Sequence, residues 1–147
     1  MDEPIRFQTK IAMLLRADLA PWQRLNVTAF LASAVAGAEP ELIGADYLDA
    51  DGVKYLPMFR QPVMIFEGDA TTMTAAHSRA LRRGLAVAVF TADLFETGND
   101  RDNRAAVRAV GTDQLDLVGL ALHAPQECGR QGPERSKPAR LTPPPGC

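Results

Sequence analysis

The residues that usually build metal and redox sites are scarce in this chain. It has two cysteines, Cys128 and Cys147, both near the C-terminus, and two histidines, His77 and His123. A closed zinc site takes four donors of this kind, so none is expected. There is no P-loop, GxGxxG, GxSxG or HExxH pattern. Phosphate cradles, dinucleotide folds, esterase elbows and zinc-protease helices therefore have no support, and no cofactor is expected. No apolar run approaches the roughly 18 residues of a membrane span. The opening MDEPIRFQTK lacks the apolar centre of a signal peptide, so a cytoplasmic location is expected, with no membrane partner. Neither sign of charge dominates. A net charge of −2 and a pI near 5.7 argue against a strongly basic nucleic-acid binder, although a local patch can hide in an average.

What is present suits one domain with a real core: 147 residues, 46% hydrophobic and 23% charged. Four apolar runs predict strands, Ile11–Leu15, Val63–Phe66, Leu85–Phe90 and Leu115–Leu122. Helical patterns separate most of them, which predicts a mixed four-stranded sheet flanked by helices, an α/β fold. A first helix is expected from Pro21 to about Ala36, with proline suited to its first turn and Gly37 as its stop. Trp22, Leu25, Asn26, Ala29, Phe30 and Ser33 share one of its faces by spacing, and that face is expected to turn inward. A second helix should begin after Asp69, its N-cap, and stop at Gly84, burying Met73, His77 and Leu81. A third should run from about Arg101 to Val110. Asp51-Gly52, between two alternating stretches, predicts a hairpin, with Pro57 confining its second strand to an edge.

After Ala124 the composition breaks. PQECGRQGPERSKPARLTPPPGC has no periodicity, and an irregular tail over residues 125–147 is expected. A set of codons compatible with this stretch, read one base later, encodes RKNAVDKALKGLNLHA and then a stop. That string is amphipathic and ends where a domain of this size should, so a frameshifted C-terminus is inferred.

The segments RADLAPWQRLNVTAFLASAVAG, DADGVKYLPMFRQPVMIFEG, TADLFETGNDRDNRAAV and DLVGLALHA occur in that order. Together they resemble the domain of unknown function 2000 family, over about residues 8 to 124. The shifted-frame VDKALKGLNLH is similar to that family's ending. The resemblance implies a fold like that of type-2 peptidyl-tRNA hydrolases, often paired as a homodimer. Those hydrolases share a lysine early in the first helix and an Asp-Ala-Gly-x-Thr motif after the third strand. Here Asn26 falls at or beside the lysine. Thr91 replaces the aspartate, Phe95 the threonine, and Phe30 and Ser33 the glutamine and histidine that accompany the lysine. With the cation and the carboxylate both gone, ester hydrolysis loses its electrostatic machinery.

Ligand-binding candidates are therefore Asp18, Trp22, Asn26, Tyr55, Arg60 and Thr91, with no catalytic residue assigned. Asp18 sits where a strand hands over to a helix, a common site position in α/β units, although capping that helix explains it equally well. Trp22 can stack on a base, or simply fill core. Asn26 can orient a ligand, or be a satisfied amide. Tyr55, Arg60 and Thr91 are rim groups without a motif. The polar loop Thr97–Asn103 lacks the spacing of a calcium loop and is better explained as a turn and helix cap. Two functions stand out: a non-catalytic binder of a small molecule or RNA, and a divergent peptidyl-tRNA or related ester hydrolase. A structural homodimer module is the third.

Overall fold

A computed structural model describes residues 4–125. The tail expected beyond Gln126 lies outside those residues. Three apolar side chains on alternate positions, Ile11, Met13 and Leu15, are almost wholly buried along the first strand, β1, Thr9–Arg16. The other strands are β2 (Tyr47–Leu48), β3 (Lys54–Tyr55), β4 (Val63–Gly68), β5 (Ala88–Thr91) and β6 (Leu117–Pro125). The helices are α1 (Pro21–Ala38), α2 (Ala70–Arg82) and α3 (Asp100–Arg108). The main sheet has the order β4-β1-β6-β5, with β1 parallel to β4 and every other pair antiparallel. This is the mixed four-stranded sheet expected, with helices on both faces.

The helix α1 starts on Pro21, and Gln23 Oε1 accepts the Ala20 N–H at 2.9 Å just ahead of it. It buries Val27, Leu31 and Val35, four residues apart, against Ile11, Met13, Leu15 and Phe90. This corrects the expected face. Trp22, Leu25, Asn26, Ala29, Phe30 and Ser33 lie outside. The helix is apolar over much of its circumference, so spacing alone offers two stripes. The sheet takes the stripe of Val27, Leu31 and Val35. Gly119 in β6 lets α1 come close: a Cβ there would stand 2.5 Å from Val27 Cγ1 and 3.0 Å from Leu31 Cδ1.

The opposite face carries α2, which packs Met73 and Ala76 on Leu117, Leu120, Val87 and Val89. Asp69 caps it as expected, accepting the Thr72 N–H at 2.7 Å. His77 is buried, but Leu81 remains half exposed. Gly84 takes φ +68°, a conformation that favours glycine, and the Gly84 and Leu85 N–H groups close the helix on Leu81 and Ala80. Residues 83–85 are thereby consumed, which is why β5 starts at Ala88 rather than Leu85. A turn at Thr112–Gln114 likewise delays β6 to Leu117.

The hairpin turns at Asp51-Gly52 as expected. Asp49 organises it: its carboxylate accepts the Asp51 and Val53 N–H groups at 3.0 Å and the Tyr55 hydroxyl at 2.8 Å. The hairpin is rooted at the end of the sheet where β1 begins. Arg60 N–H bonds Leu42 O, and Gln61 Nε2 donates to Thr9 O at 3.2 Å.

Candidate functional site

Where β1 ends, two arginines are spent on the protein itself. Arg16 Nε donates to Asp18 at 2.8 Å, and its Nη1 reaches Asp116 at 2.5 Å across the sheet. Its hydrogen bond to Asp18, joined by the one to Asp116, raises the Arg16 pKa above its ordinary value, against the opposing effect of burial. Arg24 bonds the carbonyls of Leu19 and Ala17 and pairs with Glu67 at 2.5 Å. The loop between β1 and α1 is thus braced from both sides. Its carboxylate, Asp18, is held by a guanidinium rather than left as a free base.

Beside this loop runs a row of rings. Trp22 meets Phe95 edge-on with centroids 5.7 Å apart, Phe95 lies 5.1 Å from Phe90, and Phe90 lies 5.8 Å from Phe30. Phe90 is buried, whereas Trp22 is 60% exposed and Phe30 51% exposed. Asn26 lies midway between Trp22 and Phe30 on the same stripe of α1. Phe30 and Phe90 open onto a groove of about 540 Å³ between α1, β5 and α3, whose far wall includes Asn103, Arg104 and Arg108. Arg104 pairs with Asp100, one turn earlier on α3. Arg108 has no ion-pair partner among the described residues. The α3 wall is built by the polar loop before it: Asn99 Oδ1 accepts the Asp102 N–H at 2.9 Å as N-cap, and Thr97 is in contact with Asn103. That is the helix cap expected of the loop.

The six candidate residues are not all gathered. Asp18, Trp22 and Asn26 share the end of the sheet where α1 begins. Thr91 is 1% exposed, and its Oγ1 has no hydrogen-bond partner among the described residues. Tyr55 and Arg60 belong to the hairpin and its root at the opposite end, where Tyr55 is bonded to Asp49. That bond is the largest influence holding the Asp49 carboxyl below its usual range, and it pushes the Tyr55 phenol up. Sequence spacing missed Phe90 and Phe95 as ring partners, because the contact joins α1 to a strand and a turn distant in sequence. It also missed Glu39, at the C-terminus of α1, whose carboxylate lies against His123 Nδ1. His123 Nε2 is buried without a partner among the described residues. No group of three His, Cys, Asp or Glu side chains gathers among the described residues to hold a metal.

Among the described residues this arrangement offers flat apolar surface beside a cation, and the carboxylates of Asp18 and Asp116 are both held by Arg16. The profile of a family described as "Protein of unknown function (DUF2000)" matches residues 9–128. The chain belongs to this family. A solved structure of a protein of unknown function from Agrobacterium tumefaciens resembles this DUF2000 chain at 38% identity, with a TM-score of 0.81. The match covers 83% of this chain and 90% of that one. No curated protein matches. No helix among the described residues of this DUF2000 protein is long and apolar enough to cross a membrane.

Proposed function

We propose that this protein is a non-catalytic, cytoplasmic binding protein on a scaffold like that of type-2 peptidyl-tRNA hydrolases. Its ligand presents a flat ring, from a small molecule or an RNA base, to the row of rings beside Asn26. The observation that supports this reading is the exposure of Trp22 and Phe30 at the two ends of a row anchored by the buried Phe90 and the partly buried Phe95. A ring seated there gains stacking, worth about 1–3 kcal/mol per base where aromatic platforms hold single strands, and Arg108 can meet an anionic group. The hydroxyl of Thr91 is shut away from solvent, and Asp18 is tied to Arg16, so neither stands ready to activate water.

Trp22 is the single tryptophan, and its fluorescence reports on the site directly. Titration with nucleoside monophosphates and with a short single-stranded RNA should give saturable quenching that Phe30→Ala and Phe95→Ala weaken. No quenching by any probe would sink the proposal. Peptidyl-tRNA should not be turned over faster than by an unrelated control protein. Turnover that disappears on Asn26→Ala or Thr91→Ala would establish the hydrolase alternative instead.

A homodimer has its own support. The hairpin and the irregular segment following it expose Leu48, Leu56 and Met58 by 65%, 85% and 56%, an apolar patch of the kind that marks interfaces. Sedimentation should show a dimer that Leu56→Lys dissociates. The C-terminus beyond Pro125 belongs to the proposal as a frameshifted tail, which sequencing of the encoding DNA checks.

A further inference from the structure

His123 and Glu39 meet at the end of the sheet remote from Asp18 and Trp22. His123 stands opposite Ile11, near the start of β1. Two residues earlier in β6, Ala121 packs on the α1 side, and strand alternation puts His123 on that same side. Glu39 directly follows the last residue of α1 and lays its carboxylate against His123 Nδ1. Two lone pairs repel at contact, so a proton lies between them. With that proton on Nδ1, the neutral ring has a bare Nε2, a hydrogen-bond acceptor. Nε2 is closed to solvent and has no partner among the described residues. A buried acceptor without a donor is costly, and something must offset it.

Both side chains line a cavity of about 140 Å³ between the end of α1, β6 and the approach to β5. Every other side chain around it is apolar, and most are alanines: Ala34, Ala38, Ala86, Ala88 and Ala121. Their short side chains are what leaves the space open. Ala34 and Ala88 also line the larger groove beside Phe30, so the two spaces adjoin. A buried water makes about three hydrogen bonds, more than one side-chain pair supplies, whereas an apolar cavity of about 150 Å³ takes a benzene-sized ring. The Glu39 carboxylate disfavours an anionic guest.

We propose that this cavity binds a small neutral alcohol or phenol. Its apolar body fills the alanine-walled space and its hydroxyl donates to His123 Nε2. Glu39 is a positioning residue that holds the ring in the accepting tautomer. The site is separate from the row of rings, and its occupancy does not depend on a ligand there. Phenol is the probe, added to the intact chain and followed by nitrogen-15 NMR of His123 and by ligand-observed NMR. Free protein should show the proton on Nδ1, and phenol should shift the Nε2 resonance saturably. Anisole and benzene, which have no hydroxyl to donate, should bind about tenfold more weakly, the loss of one hydrogen bond. Benzoate should not bind. His123→Phe should abolish the preference for phenol over anisole. Ala38→Leu, at an exposed position where a longer side chain fills the cavity, should block both. Glu39→Ala should mix the two tautomers and weaken phenol, while Glu39→Gln, which still accepts from Nδ1, should restore both. Nε2 protonated in the free protein at neutral pH, phenol and anisole bound alike, or binding indifferent to both His123→Phe and Ala38→Leu would overturn the proposal. So would phenol that changes Trp22 fluorescence and leaves His123 unmoved, since it would then sit on the row of rings, or no binding at all.

Discussion

Replacing Gly119 by alanine tests how tightly α1 is pressed onto the sheet. The added carbon would lie 2.5 Å from Val27 Cγ1, 3.0 Å from Leu31 Cδ1 and 3.6 Å from Leu15 Cδ2. Carbon atoms at rest stand about 3.5–4.0 Å apart, so the first contact demands a retreat of about 1 Å. Neither neighbour has room to give it, since Val27 is 0% and Leu31 1% exposed. Overpacking of this kind costs about 1–3 kcal/mol, while leaving glycine behind in a strand returns about 0.5–1 kcal/mol. A net loss of about 1–2 kcal/mol is expected, read as a lower urea midpoint at unchanged m-value. The decisive measurement is a double-mutant cycle with Val27→Ala, which removes the obstructing methyl. In that background Gly119→Ala should be nearly neutral, a coupling of about 1–2 kcal/mol. Gly37→Ala, on the exposed side of α1 with nothing within 4 Å, is the control and should stabilise by about 1 kcal/mol. If Gly119→Ala leaves the midpoint unchanged, or costs the same with Val27 removed, the packing argument fails.

The remaining predictions concern the two polar turns. The Asp49 carboxyl is depressed in the folded state, so its contribution is fully present above the unfolded value of about 3.9 and is lost as pH falls through the lower folded value. NMR titration should show Tyr55→Phe moving Asp49 back up toward that ordinary value; no movement would mean that the phenol is not its partner. In α3 no residue is fully buried, so its amides should exchange faster than those of α1 or α2. Asn99→Ala should cost about 1 kcal/mol by removing the cap; equal urea midpoints would refute that role.

The parts of the fold that were legible in the sequence carry their own local punctuation. Asp69 and Gly84 bracket α2 because a side-chain acceptor and a left-handed residue are needed at those points, whatever lies around them. The Asp51-Gly52 turn and the strand centres Ile11–Leu15 and Val63–Phe66 are of the same kind. What was not legible depends on contacts between distant segments. Helical spacing alone turns Trp22 and Phe30 toward the core. Val27, Leu31 and Val35 recur just as well, and only the sheet chooses between the two stripes. The same limit hides the ring row, since Phe90 and Phe95 reach α1 across more than fifty residues of chain. Thr91 was placed by likeness to a motif, which says nothing of how deeply it is buried.

The strand order has a kinetic meaning. The strand β6 lies between β1 and β5 and pairs with both, yet it is the last of the six to be made. During synthesis β5 has no neighbour in the sheet until β6 arrives, and the pairing of Thr9 with Pro125 joins the two ends of the described chain. Assembly of the sheet must therefore wait until β6 has been made, and the long loop closure slows it further. Until then the edges of β1 and β5 that β6 will cover stand open, templates on which another strand can pair.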